Sequence, residues 1–343
     1  MEPLDPFAAA EAAGLVYVND TIPGIGRERL DGGWVYRRPG GTTIDDEAER
    51  RRINAIGIPP AWTHVWISPI PEGHILATGR DAKGRKQYVY HPLFRAVRDA
   101  TKFHRMSAFG AALPRLRLRI EADLSVDGLP RERVLAAAVR LMDETLIRIG
   151  SEEYERQNHS YGITTLQDEH VHIDGDTMQF EFRAKSGKEQ HVRLRDPLLA
   201  RILHACEELP GQELFRYVDD HGHVVHVESA DVNAYLRVAT AATFTAKDFR
   251  TWGGSVTAAD ALVGLELPRS SADAKRKIVS AIDAAAARLN NTRAVARKSY
   301  VHPRVPEAWE EGVLSDAFAR AEAAEHLSAS EAGLLGVIAD ESR

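Results

Sequence analysis

Residues 170–194, HVHIDGDTMQFEFRAKSGKEQHVRL, decide the fold class. Three short β-rich runs, His170–Ile173, Met178–Ala184 and Gln190–Leu194, are separated by Asp174-Gly175-Asp176 and by Lys185-Ser186-Gly187-Lys188. Both separators are turn chemistry, so the spacing predicts a three-stranded meander. On either side the apolar period changes from that of a strand to that of a helix. Upstream, Leu93–Ala112 and Arg131–Ile149 carry apolar residues at helical spacing, with Gly150 as a natural stop at C′. Downstream, helices are expected over Pro197–Glu208, Ser229–Ala241, around Arg250, over Ala272–Leu289 and just before Pro303. A small sheet set among helices is an α+β body.

The first 90 or so residues read differently. Candidate strands are Leu15–Val18, Trp34–Arg37, His64–Ser68, His74–Thr78 and Gln87–Tyr90, separated by Gly, Pro and Asp-rich turns. One helix is expected among them, its first turn loaded with Asp45, Asp46 and Glu47 and its end marked by Ile58-Pro59-Pro60. The break near His91-Pro92 divides a β-rich N-terminal cap, residues 1–91, from a mainly helical domain, residues 92–343. From Glu307 the chain is rich in Ala and Glu and reads as one or two amphipathic helices.

Composition limits the function classes. Of 343 residues, 44% are hydrophobic and 27% charged, which excludes a disordered chain. The longest apolar run, Ala332 to Ala339, is far short of the ~20 residues that span a bilayer. The N-terminus carries acid where an export signal carries base, and Cys206 is the single cysteine, so a reducing cytoplasm is the expected compartment. The formal net charge of −6 is unevenly spread. Residues 1–26 hold four acids and no Lys or Arg, and residues 307–343 hold nine acids against Arg320 and Arg343. Residues 80–105, by contrast, carry eight Lys or Arg against Asp81 and Asp99, enough for a local anion-binding surface. Gln87, Tyr88 and Tyr90 interleave with these cations.

Four positions stand out for chemistry. Arg148 lies in Thr145-Leu-Ile-Arg-Ile-Gly150, near the end of an apolar helix. Lys185 opens the second hairpin turn, Arg250 sits in Lys247-Asp-Phe-Arg-Thr-Trp-Gly253, and Tyr300 closes Asn291-Thr-Arg-Ala-Val-Ala-Arg-Lys-Ser-Tyr300. Singly, each has an ordinary reading: a snorkelling Arg, a solvated Lys, a packed Tyr. Their order decides otherwise. Together with Ser160-Tyr-Gly-Ile-Thr-Thr-Leu166 and Arg297-Lys-Ser-Tyr300, these segments resemble the motifs of type IB DNA topoisomerases, in the small poxvirus and bacterial branch. Gly79-Arg-Asp-Ala-Lys-Gly-Arg-Lys-Gln-Tyr-Val-Tyr90 and Arg51-Arg-Ile-Asn-Ala-Ile-Gly-Ile-Pro-Pro-Ala-Trp62 look like that branch's cap domain, and the resemblance covers roughly residues 15–310.

The resemblance implies an enzyme that nicks, swivels and reseals double-stranded DNA without ATP, metal or other cofactor. Tyr300 would be the nucleophile, leaving a 3′-phosphotyrosine and a 5′-hydroxyl. Arg148 and Arg250 would clamp the non-bridging phosphate oxygens, a task suited to planar guanidiniums. Lys185 would protonate the leaving 5′-oxygen. Many family members have His nine residues before the tyrosine, where this chain has Asn291. An Asn can donate to a phosphate oxygen but cannot carry a proton near neutrality. That leaves hydrogen bonding as its expected role and the activation of Tyr300 open. The implied DNA contacts are Arg85 and Lys86 to phosphates, Gln87, Tyr88 and Tyr90 to bases, Tyr154, and Lys247 one helical turn before Arg250. By strand alternation Tyr88 and Tyr90 share one face and Gln87 takes the other. A monomer associated with the nucleoid is the expected state.

Tyrosine recombinases share the Arg/Lys/Arg/Tyr chemistry, but typically have His where Lys247 stands and lack the Gly79–Tyr90 cap segment. A non-catalytic DNA-binding protein on the same scaffold would lack one of the four key residues, and all four are present. His221-Gly-His223 and His226 read as a turn between strands 215–218 and 224–228 rather than a metal site. Gly24-Ile-Gly26 lacks the context of a nucleotide loop, and Cys206 reads as packing.

Overall fold

The computed structural model describes residues 5–30 and 33–339, apart from the side chains of Ala100, His104 and Tyr154. The chain divides into two compact units, one up to Phe103 and one from His104, the division falling within the helix Pro92–Leu124.

In the first unit, β1 (Ile25–Leu30), β2 (Gly33–Arg37), β3 (Thr63–Ile67), β4 (Ile75–Arg80) and β5 (Lys86–Tyr90) form one antiparallel sheet in the order β2-β1-β3-β4-β5. The strand expected over Leu15–Val18 does not form: that segment contributes only an isolated bridge, Val16 to Gly73. The fifth strand is β1 instead, whose sequence IGRERL hides its role because a cation does apolar work. Arg27 lays its guanidinium 4.0 Å from the centroid of the Trp34 ring. It also donates to the carbonyls of Ile58, Pro59 and Trp62 at 3.0, 2.9 and 3.1 Å. Those carbonyls belong to the Ile-Pro-Pro-Ala-Trp end of the 51–62 motif, which is thereby a structural brace of the cap. Ile53, on the helix Glu47–Ala55, joins Ile25, Tyr36, Ile44, Ile67 and Ala77 in the core beneath the sheet. Asp46 caps that helix, accepting from Ala48 N at 2.7 Å.

In the second unit the meander forms as expected. β6 (Val171–Asp174), β7 (Thr177–Arg183) and β8 (Glu189–Arg195) pair in sequence order, Val171 opposite Phe180 and Phe180 opposite Val192. Met178, Phe180 and Phe182 are buried while Gln179, Glu181 and Arg183 are exposed, so one face of β7 packs on the body. Strands β9 (Arg216–Val218) and β10 (Val224–His226) flank the His221–His223 turn, where Asp219 Oδ1 accepts from His221 N and His223 N. The helices are Arg131–Thr145, Glu152–Asn158, Pro197–Glu207, Ser229–Thr240, Ala246–Val263, Ser271–Arg288 and Arg293–Ser299.

Two helix ends differ from expectation. The helix beginning at Pro92 does not stop at Ala112 but runs through Pro114 to Leu124. The lost N–H bond is offset because Leu113, just before the proline, and Leu116, Ile120 and Leu124 beyond it are all buried. The helix Arg131–Thr145 stops four residues before Ile149. Thr145 Oγ1 accepts from Ile147 N at 3.3 Å, and Leu146 turns left-handed at φ 58°. The tail holds three short helices rather than one or two, Arg304–Glu310, Val313–Arg320 and Ala329–Ala339. Glu331 ties the last to the body: it accepts from Arg117 Nη2 at 2.8 Å and from Trp252 Nε1 at 3.0 Å, while Arg117 Nε donates to Asp143 at 2.7 Å.

Removing one member of such a buried ionic group strands the others, at about 3–5 kcal/mol. Glu331→Ala is therefore expected to lower unfolding stability at neutral pH by that order in urea titrations. Burial alone would raise the Glu331 pKa, but the Arg117 hydrogen bonds and charge pull it from 4.5 to about 2. The contribution is thus complete above the ordinary carboxyl range and fades as pH falls toward about 2. Wild-type and mutant stabilities should converge over that window; a pH-independent gap would contradict the ionic account.

Candidate active site

Arg148 lies outside its expected helix, on a segment without regular secondary structure that follows the left-handed Leu146. The Ser160–Leu166 motif braces this segment: Ile163 N donates to Arg148 O at 2.8 Å and Thr164 N to Ile149 O at 2.7 Å. Position 162 must be glycine, since a Cβ there would lie 2.5 Å from Arg148 O.

Arg250 is carried by the helix Ala246–Val263 and is only 4% exposed. Its Nη1 donates to Leu146 O and its Nη2 to Leu289 O, the latter at 2.9 Å. One turn on, the same helix seats the tyrosine. A Cβ at Gly254 would lie 2.8 Å from Tyr300 O, and Ser255 Oγ sits 3.2 Å from Tyr300 O while accepting from His302 N at 2.9 Å. The helix therefore holds the guanidinium, from within the Lys247–Gly253 motif, and the tyrosine backbone, from Gly254 and Ser255 just after it, in one register. Ser255 was not legible as part of the site; a buried serine in an apolar helix stretch is the signal that marks it.

Asn291 Oδ1 accepts from Arg148 Nη2, joining two of the expected residues directly. Tyr300 follows the helix Arg293–Ser299, which Thr292 caps, and its ring centroid lies 5.1 Å from the Arg250 guanidinium carbon. Burial opposes ionisation of the phenol. The charge of Arg250 and its hydrogen bond, together with the charges of Arg148 and Lys247, outweigh this, so the Tyr300 pKa lies below the ordinary phenol value. Burial, together with the Arg148 charge, lowers the Arg250 pKa to about 10, still leaving it charged at neutral pH. Two buried donors, Arg250 Nε and Asn291 Nδ2, have no hydrogen-bond partner among the described residues. Such atoms are rare in folded proteins unless something else supplies an acceptor. An anion with several oxygens is the ligand they suit.

Lys185 stands at the tip between β7 and β8, where Ser186 is left-handed at φ 69°. It shares with Arg148 a cleft of about 200 Å3, lined also by Ile149, Ser160 and Tyr161. The structure thus brings Arg148, Arg250, Asn291 and Tyr300 into contact and sets Lys185 across a small cleft from Arg148. Lys247 is exposed on the first turn of the Arg250 helix, near enough for its charge to act on Tyr300.

In the first unit the expected DNA-contacting side chains lie along the β4–β5 hairpin. Arg85 pairs with Asp81 at 2.7 Å and Lys86 with Asp20 at 2.7 Å. Gln87 Nε2 donates to Asp81 Oδ2 at 3.0 Å. Tyr88 and Tyr90 stack at 5.8 Å between centroids, as the alternation requires, but they are not equivalent. Tyr88 is 42% exposed, whereas Tyr90 packs against Phe94 at 5.5 Å. The Tyr154 side chain lies outside the described residues.

The remaining candidates are ordinary. Cys206 is buried, which pushes its thiol up to about 11. His226 faces Glu152 at 3.3 Å with Glu228 nearby, a group whose ligand atoms lie within 4.8 Å of one another. All three are partly or fully exposed. No helix among the described residues is long and apolar enough to cross a membrane.

Comparison with known proteins gives the family. Residues 91–320 match the family model for the catalytic core of eukaryotic DNA topoisomerase I, and residues 33–81 match that for the N-terminal domain of bacterial DNA topoisomerase IB. The chain is 32% identical over 287 residues to DNA topoisomerase 1B of Acanthamoeba polyphaga mimivirus, covering 82% of this chain and 85% of that protein. It is 25% identical over 251 residues to DNA topoisomerase 1 of Mycosarcoma maydis, 66% of this chain but 24% of that one. Against DNA topoisomerase 1B of vaccinia virus it is 26% identical over 132 residues, 36% of this chain and 42% of the relative. The chain belongs to the type IB DNA topoisomerases, and is an enzyme of that class with the α+β architecture described above.

Proposed function

We propose that this enzyme relaxes supercoiled duplex DNA by transient cleavage of one strand through a 3′-phosphotyrosyl intermediate on Tyr300, acting as a monomer without ATP or metal. The observation that carries the reading is the phenol of Tyr300 held by two guanidiniums beside two buried, unpartnered donors.

Chemically, the Tyr300 oxygen forms a bond to phosphorus as the bond from phosphorus to the 5′-oxygen breaks. The phenolic proton is lost to solvent, made easier by the neighbouring cations. Charge gathering on the non-bridging oxygens meets Arg148, Arg250 and Asn291, with Arg250 Nε and Asn291 Nδ2 as the donors waiting for it. Lys185 gives a proton to the departing 5′-oxygen. One phosphodiester is exchanged for another, so resealing is the same path reversed and no nucleotide is consumed. Two guanidiniums supply the positive charge that a metal would otherwise bring.

In the cap, Arg85 and Lys86 contact phosphates, while Gln87 and the exposed Tyr88 read bases. Tyr154 and Lys247 complete the duplex contacts. Base contacts specify and phosphate contacts dominate affinity. Tyr88→Ala is therefore expected to redistribute cleavage sites on a mapped duplex with little change in salt-dependent binding, and an unchanged map would contradict that role. The overall reading is tested by plasmid relaxation in EDTA without ATP. Processive loss of supercoils supports it, and an absolute Mg²⁺ requirement contradicts it.

A further inference from the structure

The loop from Leu289 to Thr292 touches a different part of the site with each residue. Leu289 O accepts from Arg250, Asn291 Oδ1 accepts from Arg148, and Thr292 caps the helix that ends at Tyr300. The fourth residue, Asn290, faces the hairpin that carries Lys185. Its Nδ2 donates to Glu189 O at 2.9 Å and to Gln190 Oε1 at 2.7 Å. Its own carbonyl accepts from Lys188 Nζ at 3.3 Å. Asn290 is left-handed at φ 48°, a conformation that Asn tolerates better than most residues.

These contacts span about a hundred residues of sequence and fall on the three residues immediately after the turn that presents Lys185. Lys185 lies only three residues before the first of these contacts, across a tight turn, so a shift at the start of β8 carries the turn and Lys185 with it. We propose that Asn290, with Lys188 as its counterpart, is a positioning residue: it docks the Lys185 hairpin onto the Arg250–Arg148–Tyr300 loop, so that proton delivery and phosphate clamping share one frame. The inference rests on Lys185 being the general acid.

The consequence is selective. Loss of the dock leaves Arg148, Arg250, Asn291 and Tyr300 in place and impairs only protonation of the leaving oxygen. A substrate whose 5′-bridging oxygen is replaced by sulfur hardly needs that proton, because the thiolate is a far better leaving group. Asn290→Gly is the suitable variant, since glycine keeps the left-handed backbone and removes only the amide. Gln190→Ala removes one acceptor without touching the loop.

Single-turnover cleavage should be measured for wild type, Asn290→Gly, Gln190→Ala, Lys185→Ala and Arg250→Lys on matched oxygen and 5′-bridging phosphorothiolate duplexes. Asn290→Gly is expected to slow cleavage of normal DNA about tenfold or more, within the ~10²–10⁴-fold ceiling set by the acid itself. Sulfur should restore it to near the wild-type rate, with Gln190→Ala milder in the same direction. Arg250→Lys should stay slow on both. If Lys185→Ala is restored by sulfur and Asn290→Gly is not, the docking role is wrong. If Lys185→Ala itself is not restored, the assignment of the acid fails instead.

Discussion

Tyr300→Phe is expected to abolish covalent attachment to DNA and supercoil relaxation, while leaving non-covalent duplex binding nearly unchanged. Only one oxygen is lost. The ring still packs under Arg250, where the guanidinium carbon stands 5.1 Å from its centroid, and the backbone remains seated over Gly254 and Ser255. The basic hairpin of the first unit lies in a separately packed unit and is untouched. Denaturing gels of reactions stopped with detergent report the adduct, and filter binding reports affinity. A persistent adduct in this variant would show that another nucleophile does the chemistry.

The second large effect is expected at Lys185. If it protonates the 5′-oxygen, Lys185→Ala should slow cleavage of normal DNA by ~10²–10⁴-fold. On 5′-bridging phosphorothiolate DNA it should cleave almost as fast as wild type. The geometry bears on the choice of lysine. Lys185 shares the small cleft with Arg148, whereas Lys188, three residues on, donates to Asn290 O. Lys188 is thus part of the hairpin's attachment and belongs to the frame rather than the proton path. Its replacement should cost less than that of Lys185. Sulfur restoring Lys188→Ala while leaving Lys185→Ala slow would exchange the two roles.

The body sheet and most helices were legible because their periods are clean. The alternation of Met178, Phe180 and Phe182 with Gln179, Glu181 and Arg183 admits one pairing face. The misses have a common cause: polar atoms doing work that hydrophobic patterning assigns to carbon. Strand β1 was hidden because Arg27 substitutes cation–π stacking and three carbonyl bonds for an apolar inward residue. The helix before Arg148 looked longer than it is because Leu146, Ile147 and Ile149 continue the apolar pattern. Tertiary contact ends it: Leu146 O is claimed by Arg250 more than a hundred residues away.

At the site, resemblance selected the side chains but not their supports. Ser255 and Asn290 carry no family signal in a single sequence, and their roles appear only when distant segments meet. For Tyr300, whose activation was left open once Asn291 replaced the usual His, the neighbouring Arg250 and Arg148 charges favour the ionised phenol against the opposing effect of burial. The two tyrosines of the cap, equal by alternation, are separated by packing: Tyr90 is held on Phe94 while Tyr88 faces solvent.

The polarity of the covalent bond tests the central claim most directly. A duplex is labelled at the 5′ end of the scissile strand in one sample and at its 3′ end in another. Each is incubated with the wild-type enzyme in EDTA without nucleotide and stopped with detergent. The account predicts that the 5′-labelled fragment remains attached through its 3′-phosphate, that the 3′-labelled fragment is released with a 5′-hydroxyl, and that proteolysis places the link on Tyr300. Attachment of the 3′-labelled fragment, or of neither until Mg²⁺ is added, would contradict it.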